Sequence, residues 1–299
     1  RGTHKPEVSG SIPLPATKSF YKIYLKLLLL MKCMFKIILI FFFLVLNIIN
    51  VNAIDQIDGF KVKNRFSSKL FLIDSAKAPT IILSHGSGGI WKHIHMWKDR
   101  LNKNGYNVAI IDHHTEKNIK PHVGKRNYKD FPEERIKDLL RLSRWIKKQK
   151  WNKNKIGVIG FSYGGAGTNL LANSLELETI KSFKKKDKNL FGAIVSYYPG
   201  CGLAGGSIPP RSYFPIIIHI AEKDELVTPY LNCIEPLKNE MLTIYKYQEA
   251  QHSFDVDIPG FKYEGIIFST GRKFTNIGHK ESRELSIKRT LDFLNAKLK

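Results

Sequence analysis

The sequence predicts an α/β fold, with a mainly parallel central sheet of about eight strands and helices on both faces, built from residues 54–299 as one domain. Three observations predict it. Short apolar runs rich in β-branched residues alternate with longer stretches of helical period, the central runs are apolar on both faces, and no internal repeat breaks the rhythm. A strand covered by helices on both sides is buried on both faces, so it reads as a continuous apolar run rather than an alternating one.

In chain order the strand candidates are 61–62, 70–73, TIILSH at 80–85, NVAIID at 107–112, KIGVIG at 155–160, LFGAIVSYY at 190–198, FPIIIHI at 214–220 and LTIYKY at 242–247. Helical period is read at 91–103, 132–150, 164–177, 229–239 and 281–298. The second of these is the clearest. Pro132 suits a first helical position, and Glu133 and Glu134 follow at the positive end of the helix dipole. Ile136, Leu139, Leu140, Leu142, Trp145 and Ile146 make an apolar face, and Lys147, Lys148 and Lys150 close it. The lysine cluster KSFKKKDK at 181–188 reads as a solvated loop.

Ahead of this domain the chain has a different character. Residues 31–53, MKCMFKIILIFFFLVLNIINVNA, combine a basic start, a ten-residue apolar run from Ile37 to Leu46 and a small residue at Ala53. Those are the three regions of a secretory signal peptide, and the apolar run is short of the ~20 residues that span a bilayer. The expectation is therefore a protein that starts at Met31 or Met34, is exported to a periplasm or outside the cell, and keeps no stable membrane insertion once the signal is removed. Residues 1–30 read as upstream or non-native sequence. An uncleaved anchor, lengthened by YKIYLKLLLL at 21–30, is the alternative.

Formal charge is +22, of which +16 belongs to residues 54–299. Lysine is spread along the whole chain, and no zinc-finger spacing, aromatic RNA-binding motif or basic helix appears, so nucleic acid is not an expected partner. Export leaves two cysteines in the mature chain, Cys201 and Cys233, and two cysteines in an oxidising compartment are more often bridged than free.

The chemistry is carried by Gly160-Phe161-Ser162-Tyr163-Gly164, a G-x-S-x-G run between a buried strand and a helix. A serine at a sharp strand-to-helix turn needs neighbours without side chains, so that strand and helix can approach while Oγ stays exposed. HGSGG at 85–89 makes a second side-chain-poor turn after its own strand. In such an architecture the N–H groups of Ser87 and Tyr163 form an oxyanion hole. A serine hydroxyl also needs a base, and the base needs a carboxylate to orient it. Asp224 and His252 follow later strands in the required order after Ser162, with Asp255 and Asp257 behind Asp224 as acids. His279 reads as surface, His113 and His114 as pocket-lining candidates, and His93 and His95 lie out of metal-ligand register on a helix.

HGSGG, GFSYGG at 160–165, SYYPGCG at 196–202, AEKDELVTP at 221–229, AQHSFD at 250–255 and the terminal LDFLNAKL together resemble the dienelactone hydrolase family of α/β-hydrolases, from about Asp58 to the end. The resemblance is to a serine-nucleophile form, since founding members carry cysteine where this chain has Ser162. It implies hydrolysis of a small ester, lactone or related acyl substrate through an acyl-enzyme, with no metal and no organic cofactor. It also implies a Cys201–Cys233 disulfide, because family members with the same two segments carry such a pair. Dienelactone itself is not the expected substrate. Specificity in such folds comes from loops beyond the strand ends, here 113–130, 200–212 and 255–280. Tyr163, Tyr197 and Tyr198 are candidate pocket walls, and Lys125, Arg126 and Arg211 read as solvated rather than as a carboxylate site. The competing readings are a non-catalytic envelope-associated binding protein that retains the fold, and a peptidase or acyltransferase using the same three residues.

Overall fold

The computed structural model describes residues 30, 31, 34, 55–61, 67–73, 78–125, 127, 129–152, 155–199, 208–226, 240–268 and 270–299. The chain divides into two units, Arg1–Val51 and Asn52–Lys299. In the first, Leu30, Met31 and Met34 are helical and exposed. Among the described residues no helix is long and apolar enough to cross a membrane. The rest of the leader-like segment, Cys201, Cys233 and the helix expected at 229–239 lie outside the described residues.

The second unit is built on an eight-stranded sheet of order β1-β2-β4-β3-β5-β6-β7-β8. The strands are β1 (Asp55–Lys61), β2 (Ser67–Leu72), β3 (Thr80–Ser84), β4 (Asn107–Asp112), β5 (Ile156–Phe161), β6 (Phe191–Tyr197), β7 (Ile216–Ala221) and β8 (Leu242–Tyr247). Pairing is antiparallel from β1 through β2 to β4 and parallel from β4 through β3 to β8. The chain steps from β3 to β4 in one direction and then returns to lay β5 on the other side of β3. That reversal opens a crevice at the carboxyl ends of β3 and β5, where open α/β sheets hold their ligands.

The apolar runs bury both faces because side chains alternate along a strand. Ile82, Ala109, Ile111, Val158, Ile194, Ile216 and Ile218 point to one side, where α2 (Pro132–Ile146) and α3 (Tyr163–Ala172) cover them. Ile81, Leu83, Val108, Ile110, Ile159, Val195 and Ile217 point to the other, under α1 (Lys92–Lys103) and α5 (Lys280–Leu298). Every residue of β3, β5, β6 and β7 is buried.

Four expectations are corrected. Of the strand expected at 61–62, Lys61 is the end of the longer β1 and Val62 lies outside the described residues. The helix at 164–177 breaks at Asn173, whose extended backbone (φ −69°, ψ 103°) and side-chain acceptance from Leu175 N start a separate α4 (Ser174–Thr179). The lysine cluster is not wholly a solvated loop. It contains a 3-10 turn, Lys185–Asn189, and buries Asp187, which accepts from Arg144 Nε at 2.9 Å. The stretch 255–280, read as a loop, holds a hairpin of β9 (Lys262–Ile267) and β10 (Arg272–Ile277).

One buried base is locked inside this core. His219 on β7 lies 2.8 Å from Tyr247 Oη and 2.9 Å from Thr290 Oγ1, with Tyr197 stacked on it at 4.4 Å. Burial brings its pKa down from 6.5 to about 3, the field of Asp255 opposing and that of Arg289 adding. The unfolded chain therefore binds the extra proton first. The contribution is fully present above pH 6.5 and is lost as pH falls towards 3, at about 1.4 kcal/mol per pH unit. In His219→Gln, which keeps a donor and an acceptor for the two hydroxyls, the slope of unfolding free energy against pH between 6.5 and 4.5, measured in urea, should shrink by about that amount.

Candidate active site

The crevice at the sheet's switch point is shaped by backbone contact. A Cβ on Gly164 would lie 2.3 Å from Ser84 O, and one on Gly160 2.2 Å from Gly164 O, so neither position admits a side chain. Between them Ser162 adopts φ 54°, ψ −115°, a region that costs a non-glycine residue about 1–3 kcal/mol. The strain is held by hydrogen bonds on both sides: Ser162 N donates to Tyr197 O at 2.9 Å, and Ala166 N donates to Ser162 O at 2.9 Å. Two further positive φ values, at Tyr198 (35°) and Ser253 (63°), fall beside it.

Asp224 and His252 arrive on the loops after β7 and β8. Those loops are tied to each other, Glu222 N donating to Tyr247 O at 3.0 Å and Lys223 N to Ala250 O at 2.9 Å. Asp224 and His252 are buried, and the imidazole packs on the Tyr198 ring at 4.6 Å. With Nδ1 protonated, His252 donates to Asp224 Oδ2 at 2.6 Å and its Nε2 accepts the Ser162 hydroxyl at 2.8 Å. All three sequence-predicted residues are thus in one hydrogen-bonded line.

The HGSGG turn lies against Ser162: an added Cβ on Gly86 would sit 3.2 Å from Ser162 Cβ. Its first three carbonyls are held by hydrogen bonds. Arg135 Nη1 donates to His85 O, while Gly86 O accepts from His85 Nδ1 at 2.7 Å and Gly89 N at 3.2 Å. Ser87 O accepts from His122 N at 3.0 Å. A trans peptide sends its N–H opposite to its carbonyl, so tethering Gly86 O turns the Ser87 N–H towards the cavity, which Ser87 lines. Tyr163 opens α3, at the helix's positive end, with Arg135 over its ring at 5.0 Å.

Sequence reading missed the group that braces this turn. Arg135, fully buried on α2, donates to Asp130 through Nε at 2.7 Å and Nη2 at 2.6 Å. His114 and His122 each approach the same carboxylate at 2.9 Å. Burial alone would raise the Asp130 pKa, but the hydrogen bonds from Arg135, His114 and His122 hold it far below the carboxylate range. His114, His122 and Asp130 have the spacing of a metal triad, yet the guanidinium occupies the carboxylate that a cation would need, and the cluster is a hydrogen-bonded ion pair. His113 and His114 are therefore bracing groups behind the turn rather than pocket walls. Burial, with Arg135 beyond it, brings His113 down to about 4 against the opposing hydrogen bond of Asp138.

A cavity of about 320 Å³ opens over Ser162 and His252. Trp91, Phe161, Tyr198 and Phe261 wall it, whereas Tyr197 is core and Arg211 is exposed. Lys125 sits over the Phe268 ring at 5.4 Å, and Arg126 lies outside the described residues. The hairpin β9–β10 roofs the cavity through Tyr263 and Asn276. It is tied down by Phe268 N donating to Gly124 O at 3.0 Å and by Thr275 N donating to Glu225 Oε2 at 2.9 Å. Asp255 does not face His252. It accepts from Trp97 Nε1 and Tyr198 Oη, each at 2.7 Å, and lies 2.7 Å from His93 Nε2. Burial disfavours its charge, but these partners keep its pKa below the ordinary value. His279 caps α5, half-buried, and takes no part in the site.

A family model described as "Dienelactone hydrolase family" matches residues 66–298. No curated protein matches the chain. Among solved structures, a dienelactone hydrolase-like promiscuous phosphotriesterase from metagenomic libraries is 15% identical, with 83% of this chain and 99% of that chain covered at a TM-score of 0.57. A dienelactone hydrolase from Anabaena variabilis is 14% identical, with 83% and 98% covered at 0.54. A Pyrococcus furiosus esterase is 17% identical, with 82% and 93% covered at 0.52.

Removing Arg135 strands the buried Asp130 charge. Arg135→Met should lower the urea-measured unfolding free energy at pH 7 by about 3–5 kcal/mol, and adding Asp130→Asn should recover part of that loss.

Proposed function

This chain belongs to the dienelactone hydrolase family and is a hydrolase acting on ester bonds, and from that premise we propose that it cleaves a small ester, lactone or related acyl substrate by a serine mechanism. The observation that carries the proposal is the continuous line from Asp224 through His252 to Ser162 at the floor of the cavity. In the first half-reaction Ser162 Oγ attacks the substrate carbonyl carbon while His252 Nε2 takes its proton. Asp224 holds the imidazole in the tautomer that can accept that proton and stabilises the imidazolium. The carbonyl oxygen becomes an oxyanion facing the Ser87 and Tyr163 N–H groups, which need no reorganisation to receive it. Collapse expels the alcohol, which takes the proton from His252. In the second half, water gives a proton to His252 and attacks the acyl-enzyme, and the acid leaves with Ser162 restored.

We further propose that the protein is exported by the segment at 31–53, supported by its basic, apolar and small-residue regions. Edman sequencing of protein secreted by an expressing host should begin just after Ala53, and a start upstream of Met31 would contradict it.

The full chain should hydrolyse p-nitrophenyl acetate and take a fluorophosphonate label on Ser162, mapped by mass spectrometry. Ser162→Ala should abolish labelling and lower kcat by about 10⁶-fold. Asp224→Asn, with the geometry kept but the tautomer wrong, should lower it by about 10⁴-fold. Equal rates for wild type and Ser162→Ala would falsify the assignment.

A further inference from the structure

The roof of the cavity carries one group that the serine mechanism does not use. On β10, Phe274 and Asn276 are buried while Lys273 and Ile277 are exposed, as the two-residue period of a strand requires of an inward face. Phe274 is satisfied there: it packs on Tyr263 at 5.9 Å and covers Gly265, where an added Cβ would lie 2.6 Å from its ring. Asn276 is not. It lines the same cavity as Ser162 and His252, is only 3% exposed, and its Oδ1 has no hydrogen-bond partner. Almost every buried polar atom in a native fold is paired, so an unpaired one on a side chain that lines a reaction cavity calls for a partner, and a turn of the carboxamide about χ2 would offer it to one that arrives with the substrate. The walls nearby are apolar and aromatic, Trp91 and Phe261 stacking at 5.6 Å with 26° between their planes.

We propose that Asn276 is the specificity residue of this cavity. Its Oδ1 accepts a hydrogen bond from a hydroxyl or amide N–H on an uncharged, apolar or aromatic portion of the ester, which the Trp91–Phe261 wall receives. The inference deepens the serine-hydrolase reading and rests on it, since that reading places the reacting carbonyl at Ser162. A site built to pair with a substrate donor rejects an analogue lacking that donor much more strongly than an apolar pocket rejects a missing methylene, because the protein's own group is left unpaired.

The test is a matched panel. The full chain is assayed with p-nitrophenyl phenylacetate against its 2-, 3- and 4-hydroxy ring forms, and with phenylethyl acetate against its ring-hydroxylated forms. At least one hydroxylated ester should exceed its parent in kcat/KM by about tenfold or more, and in Asn276→Leu that ratio should fall close to one. The same substitution removes a buried unpaired acceptor, so the melting temperature should hold or rise, whereas a structural asparagine would lower it. Asn276→Ala, smaller and free of packing conflict, serves as the second variant, and its ratio should fall likewise. No hydroxyl preference in wild type, a ratio untouched in both variants, or a stronger preference for a succinyl ester would each overturn the proposal. Fluorophosphonate labelling separates the two layers. A labelled Ser162 with no hydroxyl preference sinks this inference alone, whereas an unlabelled, inactive wild type sinks the serine reading and this inference with it.

Discussion

Main chain touches main chain at the end of β5, and the rest of the site depends on that contact. Gly160 and Gly164 lack side chains at points where a Cβ would stand 2.2 and 2.3 Å from a carbonyl oxygen. A glycine in a helix costs about 1 kcal/mol against alanine, and the Ser162 dihedrals cost about 1–3 kcal/mol more. Those costs are tolerated because α3 covers strands that are buried along their whole length, and each large side chain packed in that core is worth a comparable amount, about 2–5 kcal/mol. The packed sheet over-determines a bend that a short peptide would not hold. With the bend in place, Ser162 stands out from the sheet, α3 begins at its next residue, and the HGSGG turn lies against it.

The second constraint is charge. Residues 54–299 carry a formal +16, yet five aspartates, 130, 138, 187, 224 and 255, are buried among the described residues. Each has a cationic or imidazole partner: Arg135 for Asp130, Lys117 and His113 for Asp138, Arg144 for Asp187, His252 for Asp224 and His93 for Asp255. A buried carboxylate without such partners would protonate rather than remain charged. Acids drawn inward leave the surface still more basic than the composition alone suggests. The strong positive balance is thus a surface property, and the described lining of the cavity contains no lysine or arginine.

Much of this was legible in the sequence, for particular reasons. The parallel strands could be read because burial on both faces leaves an uninterrupted apolar run, as in Ile156–Phe161. Ser162, Asp224 and His252 could be read because motif and chain order constrain each of them separately. The bracing pair Asp130–Arg135 could not. An aspartate five residues before an arginine looks like any exposed pair, and only the tertiary placement of α2 against the HGSGG turn buries it. The hairpin was missed because β9 and β10 lie against the site with one face only, so their runs mix Lys, Glu and Arg with Tyr, Ile and Phe. A usable signal was present in Gly271, whose φ of 67° makes the turn between the two strands. Asn173 likewise broke a helix by accepting a hydrogen bond from Leu175 N, a local competition that hydrophobic period does not register.

The missed elements share a position outside the central sheet, and this separates two kinds of work in the molecule. Ser162, Asp224 and His252 sit on turns that leave the ends of strands of the packed sheet. The roof is a two-stranded unit of its own, joined to the body near the cavity by a hydrogen bond from Phe268 N to Gly124 O and by two to Glu225, from Thr275 N and Arg272 Nη2. Side chains on such a hairpin can change without disturbing the bend at Ser162, because among the described residues no strand of the main sheet pairs with β9 or β10. Asn276 and Tyr263 therefore occupy the part of the fold where recognition can drift while the reaction stays fixed. Ser162, by contrast, is bound through backbone contacts that admit almost no substitution around it. An unpaired carboxamide oxygen on the adjustable element, in a molecule that pairs its buried acids so thoroughly, is the feature on which the proposed recognition of substrate rests.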